Sequence, residues 1–270
     1  MAGAKTPIIT LLTDFGTKDH FVAAMKGVIF SILPQVQIVD ISHDIPAHDI
    51  LEAGFVLRSC YSYFPSRTIH VVVVDPTVGS QRKPIIVATE NYYYIAPDNG
   101  VLSLIYEVDP VSTVVEITAE HVMLQEISKT FHGRDIFAPA AAWLARGTDM
   151  LNFGESLTEY SKIPLPKAKL VGEALLKGSV LHIDRFGNLI TNISREDYRA
   201  AREKVPGTAV KVLLAKQEIA GLSDSYADGQ KGEILALFGS SNLLEIVQSQ
   251  GSAARTLGVA RGGEVGVLLK

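Results

Sequence analysis

Ile8-Ile9-Thr10-Leu11-Leu12-Thr13-Asp14-Phe15-Gly16, with Phe21 to Leu33 behind it, decides the fold. Ile8 to Leu12 is short, apolar and rich in branched residues, which predicts a strand buried on both faces. From Phe21 onward apolar residues recur at three- and four-residue spacing, which predicts a helix packed back onto that strand. A strand apolar on both faces needs helices on both sides, so the unit implied is α/β. Gln37 to Ile41, Ile69 to Val74 and Ile85 to Thr89 repeat the strand pattern, and Ile50 to Tyr63 repeats the helix pattern. Together they predict a largely parallel sheet wound with crossover helices. Ile136 to Ala145, alanine-rich with Pro139 near its start, predicts a last helix ending near Gly147.

The pattern changes after Ile163-Pro164-Leu165-Pro166-Lys167, where two prolines in alternation favour an extended connector. Residues 1–165 are therefore expected to form an N-terminal α/β domain and residues 166–270 a second domain. Gly178 to Ile183, Ala209 to Ala215, Ile234 to Phe238 and Glu264 to Leu269 read as strands between glycine-bearing turns, with one helix near Arg195 to Glu203. A small antiparallel β-barrel, or the related sandwich, is the expected architecture.

Composition narrows the function classes. Among 270 residues, 47% are hydrophobic and 20% charged, enough to build a large core. The net charge of −4 is spread without blocks of one sign, so nucleic acid and anionic membranes are not expected partners. Cys60 is the only cysteine, which leaves no internal disulfide and predicts a buried structural thiol. Met1 to Pro7 leads into an apolar run too short for a signal or membrane segment, and the expected location is the cytoplasm.

Several loops carry chemistry. Thr13 to Asp19 lies between the first strand and first helix, where open α/β sheets bind ligands. Asp14 can accept hydrogen bonds from a ribose diol, and Asp19 can pair with an ammonium group or simply help start the helix. Val71 to Arg82 delivers Asp75 at the end of an apolar strand and returns Arg82 around a turn shaped by Pro76 and Gly79. An acid and a cation so placed can hold and polarise a water, or only brace the loop as an ion pair. His132, in Thr130 to Asp135, is a candidate proton carrier beside a glycine; a packed or capping histidine is the competing reading. Arg134 and Asp135 are expected to pair locally.

Ile41 to Asp49 places His43 and His48 near two acids, but Pro46 interrupts any helical face and no third ligand cluster has metal spacing, so no metal is expected. In the second half, Phe186 can stack on a purine, and Asn188, beside Asp184, offers the donor and acceptor an adenine edge needs. Tyr226 is a second stacking candidate. Taken singly, Phe186 also fits a core position and the asparagine a turn. Phe238 to Asn242 joins a strand to a helix-like run, where Ser240, Ser241 and backbone N–H groups can bind a carboxylate. Tyr92, Tyr93, Tyr94 and Trp143 read as packing residues.

TDFG from Thr13, ISHDIP from Ile41, DPTVGS from Asp75, APDNG from Ala96, FHGRDIFAPAAA from Phe131 and DRFGNLITN from Asp184 stand in one order along the chain. In that order they resemble the S-adenosylmethionine hydroxide adenosyltransferase family, hydrolytic relatives of the adenosylmethionine-dependent fluorinase and chlorinase. The resemblance runs from Leu11 to near the C-terminus. It implies an α/β domain, a C-terminal β-barrel and a homotrimer with sites between neighbouring chains. It also implies cleavage of S-adenosyl-L-methionine by water into adenosine and methionine, without a cofactor.

The family's catalytic Asp, Arg and His map onto Asp75, Arg82 and His132. Its ribose and methionine contacts map onto Asp14 and Asp19, and its purine contacts onto Phe186 and Asn188 with Asp184 nearby. Ser240-Ser241 departs from the Ser-Arg of the related halogenases, which points to a backbone-mediated carboxylate contact. In the mechanism implied, Arg82 lowers the pKa of the water while Asp75 and His132 orient it and accept its proton. A non-catalytic adenosine or adenosylmethionine sensor, a halogenase, and a metal hydrolase using His43 and His48 are the alternatives.

Overall fold

The computed structural model describes residues 6–205, 207 and 209–269, so the reading of Met1 to Lys5 lies outside the described residues. The chain divides into two compact units, Met1–Pro164 and Leu165–Lys270.

The first unit contains strands β1 (Ile8–Thr13), β2 (Gln37–Ser42), β3 (Ile69–Val73), β4 (Pro84–Thr89), β5 (Tyr93–Pro97) and β6 (Val111–Glu116). They form one sheet in the order β2-β1-β3-β5-β4-β6. Helices α1 (Phe21–Ile32), α2 (Ile50–Cys60), α3 (Ser103–Tyr106) and α4 (Ala138–Arg146) cover it. Successive strand side chains alternate faces. Ile9, Leu11, Val71 and Val73 therefore meet Met25 and Ile29 of α1 and the alanines of α4 on one face. Leu12, Val72 and Val74 meet Ala53 and Leu57 of α2 and Ile105 of α3 on the other. Both faces are dry, which is why these strands lack polar alternation.

The exceptions are matched to each other. Thr10 on β1 and His70 on β3 are paired residues, and the threonine hydroxyl lies 2.8 Å from His70 Nδ1. Burial pushes the His70 pKa down to about 3, so the ring stays neutral against Tyr94, 5.3 Å away. Tyr94 and Tyr92 are buried and Trp143 partly so, in keeping with a packing role.

The fold is of the expected class, an α/β unit with a mostly parallel sheet followed by a nearly closed antiparallel barrel, and two details within it need correction. The strand Pro84–Thr89 is antiparallel to both of its neighbours, so the sheet is mixed, with its parallel pairs confined to β2, β1, β3 and β5. A chain that turns back within three residues, from Thr89 to Tyr93, has no length for a parallel crossover. The second correction falls in the other unit. Its strands are β7 (Lys169–Val171), β8 (Leu175–Ile183), β9 (Leu189–Ser194), β10 (Val210–Leu214), β11 (Gln217–Ala220), β12 (Ile234–Phe238), β13 (Leu243–Gln248) and β14 (Glu264–Leu269), with helices α5 (Arg195–Lys204) and α6 (Ala253–Leu257). The run after Asn242 is not a helix: β13 pairs antiparallel with β12 and β9. Ser240 and Ser241 are thus in a hairpin turn, and no helix N-terminus stands there to bind a carboxylate.

The second unit is an antiparallel sheet in the order β11-β10-β14-β8-β9-β13-β12, nearly closed into a barrel. Leu189, Ile193, Val212, Leu244, Ile246, Val265 and Val267 fill it. Helix α5 starts at a capping box in which Ser194 and Asp197 satisfy each other's backbone N–H groups.

Candidate active site

The chain leaves β1 for β2 on one side and returns to β3 on the other. The carboxyl ends of β1 and β3 therefore flank the point where the winding reverses, the crevice where open α/β sheets bind ligands. Thr13 pairs with Val73 across those ends. Asp14 follows the first and Asp75 comes two residues after the second.

The Asp75 loop is held at both ends. Asn99 Nδ2 donates to the Val74 carbonyl at 2.9 Å, fixing the strand just before the acid. Gly79 has φ +78°, and a Cβ there would lie 2.4 Å from the Lys129 carbonyl oxygen, so only glycine fits this turn. The loop brings Arg82 back to Asp75. Arg82 Nε and Nη2 donate to the same oxygen, Asp75 Oδ2, at 2.9 and 2.5 Å. Both side chains are nearly buried, at 6% and 5% exposure. The other carboxylate oxygen, Oδ1, accepts from the Thr77 hydroxyl at 3.3 Å.

His132 completes the group from a different element. It caps a π-turn over Gly133–Phe137 that leads into α4, a wide turn of the kind often found at functional sites. Arg82 Nη2 lies 2.6 Å from His132 Nδ1, and the guanidinium sits 5.3 Å over the Phe137 ring. Because a guanidinium can only donate, Nδ1 must accept, which places the proton of the neutral ring on Nε2. Burial and then the Arg82 charge lower the His132 pKa, with Asp75 and Asp135 opposing. Arg82 Nη1 is buried without a partner among the described residues. The structure thus joins Asp75, Arg82 and His132 into one cluster whose unspent donor is Nη1.

Asp14 is anchored through one oxygen: the backbone N–H of His48 donates to Oδ2 at 2.8 Å. Asp19 is exposed, and the N-cap position of α1 falls on His20, with no side-chain cap bond. Arg134 and Asp135 pair locally at 2.5 Å. Among the described residues no three His, Cys, Asp or Glu side chains gather as a metal site.

In the second unit, Asp184 organises a tight turn. Its Oδ1 accepts from the Phe186 and Asn188 backbone N–H groups at 2.8 and 2.9 Å, and its Oδ2 from Asn188 Nδ2 at 2.8 Å. Asn188 is thereby fixed, and Phe186 projects with 74% exposure. An aromatic ring this bare, on a turn this constrained, is a ready stacking surface.

Tyr226 is half exposed and donates to Glu245 Oε2 at 2.8 Å. Glu245 is a residue the sequence reading missed. It is a buried acid in an apolar strand, and a Cβ on Gly239 would lie 1.8 Å from its Oε1, so the backbone makes room for it. Burial raises its pKa, with Asp184 adding to the rise. The one signal was a lone acid at Glu245 between Leu244 and Ile246. Ser240 and Ser241 are exposed in their hairpin.

Comparison with known proteins agrees with this architecture. The SAM hydroxide adenosyltransferase N-terminal domain family matches residues 9–154, and the corresponding C-terminal domain family matches residues 178–266. A protein named (R)-S-adenosyl-L-methionine hydrolase from Methanocaldococcus jannaschii is 36% identical, covering 93% of this chain and 92% of its own length. One of the same name from Salinispora tropica is 33% identical over 98% of both chains. A fluorinase from an Actinoplanes species is more distant, at 30% identity over 72% of this chain and 74% of its own. The crystal structure of an uncharacterized conserved protein from Thermotoga maritima superposes with a TM-score of 0.89 at 35% identity, covering 96% of this chain and 99% of that one. The two domain matches, in sequence order and spanning most of the chain, place it in the SAM hydroxide adenosyltransferase family.

Proposed function

We propose that this enzyme hydrolyses S-adenosyl-L-methionine to adenosine and L-methionine by attack of water at the ribose C5′. The observation that carries the mechanism is the Arg82 guanidinium, with Nε and Nη2 committed to Asp75 and His132 and Nη1 buried and unspent. A water accepting from Nη1 is polarised by a cation in a dry site, where such an interaction is strongest. Asp75 Oδ1, engaged only by the long Thr77 contact among the bonds described, takes the water's proton. His132 accepts from Arg82 through Nδ1 and so fixes the guanidinium; in this arrangement it orients, and the proton goes to Asp75.

The water oxygen forms a bond to C5′, the C5′–S bond breaks with its electron pair passing to sulfur, and the proton leaves through Asp75. Partial negative charge on oxygen meets the positive sulfonium, so the transition state disperses charge and the leaving group is a neutral thioether. No cofactor is needed for that step. A halide approaching the same centre would meet the Asp75 carboxylate, which disfavours it against neutral water.

For substrate binding we assign the ribose diol to Asp14, the methionine ammonium to Asp19, and the purine to Phe186, Tyr226 and Asn188 on its Asp184 turn. Ser240 and Ser241 are assigned to the carboxylate through their hairpin. We further infer a homotrimer whose sites combine the first unit of one protomer with the second unit of its neighbour; the division of the water-handling and purine-handling residues between the two units supports this. Among the described residues no helix is long and apolar enough to cross a membrane. With a single thiol in the sequence, a cytoplasmic location is the compartment we propose.

The test is product analysis. Purified enzyme incubated with each sulfonium epimer of S-adenosyl-L-methionine should release equimolar adenosine and methionine, and we expect the (R) form, the one in the relatives' names, to be consumed faster. Activity should survive thorough chelation and be unchanged by added chloride. Intact substrate after binding would leave a sensor, and halogenated adenosine a halogenase.

A further inference from the structure

The Ile41 to Asp49 segment, with two histidines and two acids, has no part in the chemistry above, yet it is built around the Asp14 loop. The His43 side chain is buried, and its Nδ1 lies 2.9 Å from Thr13 Oγ1. The same hydroxyl accepts from the Phe15 backbone N–H at 3.2 Å. His43 Nε2 lies 3.1 Å from Asp40 Oδ1, off the line of a well-formed hydrogen bond, and Asp40 Oδ2 in turn takes Lys26 of α1 at 2.6 Å. The His43 carbonyl accepts from the Gly16 backbone N–H at 2.7 Å. Asp14 therefore sits in a four-residue loop gripped at Thr13, Phe15 and Gly16.

The second histidine grips the acid itself. His48 adopts a left-handed backbone, φ 68°, which costs a non-glycine residue energy. Its backbone N–H is the group that donates to Asp14 Oδ2. The imidazole ring of His48 is largely exposed, so its backbone is what the site uses.

We propose that His43 is a positioning residue of this enzyme, holding the Thr13–Gly16 loop so that the free oxygen of Asp14 faces the ribose diol. The proposal rests on the ribose assignment made for Asp14. It turns a segment that looks like a metal motif into a clamp: one histidine acts through its ring on Thr13, the other through its amide on Asp14. The hydrogen-bond directions are consistent. With Nδ1 as the acceptor, Thr13 donates its hydroxyl hydrogen to His43 while its oxygen accepts from the Phe15 backbone N–H.

The test is calorimetry of adenosine and 2′,3′-dideoxyadenosine binding, because only the first carries the diol. His43→Ala should weaken adenosine about tenfold, the loss of one well-placed hydrogen bond, and leave dideoxyadenosine unchanged. In turnover it should raise KM with kcat nearly retained. His43→Asn, which keeps an acceptor for Thr13, should recover most of the affinity. In the His43→Ala/Asp14→Asn double variant, adenosine binding should be no weaker than in Asp14→Asn alone. Thr13→Val breaks the same link from the other side and should reproduce the pattern if His43→Ala does not fold. Equal weakening of both nucleosides, or additive losses in the double variant, would overturn the proposal while leaving the ribose assignment intact. If Asp14→Asn weakens adenosine and dideoxyadenosine equally, or weakens neither, both the proposal and the ribose assignment are overturned.

Discussion

At the scale of single residues the proposed chemistry turns on how the five guanidinium N–H groups of Arg82 are spent. Arg82 uses two on one oxygen of Asp75 and one on His132, and Nη1, without a partner among the described residues, is left for the proposed water. Asp75→Asn would remove the proposed proton acceptor, and His132→Ala would release the guanidinium. Each should lower kcat by roughly a hundred- to ten-thousand-fold while leaving substrate affinity largely intact. Isothermal titration beside single-turnover rates checks this, and lost binding with unchanged turnover of bound substrate would move both residues to recognition. The pH dependence has a definite sign. His132 must be neutral to accept from Arg82, and its pKa is lowered by burial and by Arg82. Activity should therefore persist as pH falls through the ordinary histidine value of about 6.5 and decline only below it. Asp75, Arg82 and His132 were legible as candidates because each ends or opens an apolar element. Their joining was not legible, since fifty residues separate His132 from Arg82 and nothing local encodes the contact.

At the scale of elements, what could be read depended on whether burial left a one-dimensional trace. Ile8–Thr13 and Ile69–Val73 are dry on both faces, and their apolar runs stand out, while Gln37–Ser42, partly exposed, is marked by its branched residues alone. Tyr93–Pro97 escaped as a strand because its tyrosines read as packing residues, which they also are. The antiparallel pairing of Pro84–Thr89 escaped because direction is set by the short connection to Tyr93, not by the composition of the strand. Leu243–Gln248 escaped for a different reason. A buried acid, Glu245, breaks the apolar run of a central strand and imitates the spacing of an amphipathic helix. That one misreading also misplaced the Ser240–Ser241 turn, which shows how a buried polar residue at a candidate site degrades the local signal around it. His43 was similarly opaque: a metal role was set aside and nothing replaced it, and only the fold shows its ring facing Thr13.

At the scale of the whole molecule, the two units carry different parts of the proposed reaction: Asp14, Asp75, Arg82 and His132 in the first, Phe186, Asn188 and Tyr226 in the second. If a ring of three protomers pairs unlike units, His132→Ala and Asn188→Ala chains should each be inactive alone yet regain activity when co-refolded in equal amounts. About a quarter of sites should then be intact, since each site draws each unit from an equal mixture. Continued inactivity in verified mixed oligomers would place each site within one chain. The central claim, that Arg82 presents a water to C5′, is tested most directly by turnover in ¹⁸O-labelled water followed by mass spectrometry of both products. The account predicts one ¹⁸O in adenosine, at the 5′-hydroxyl, and none in methionine; label in methionine, or in neither product, would contradict it.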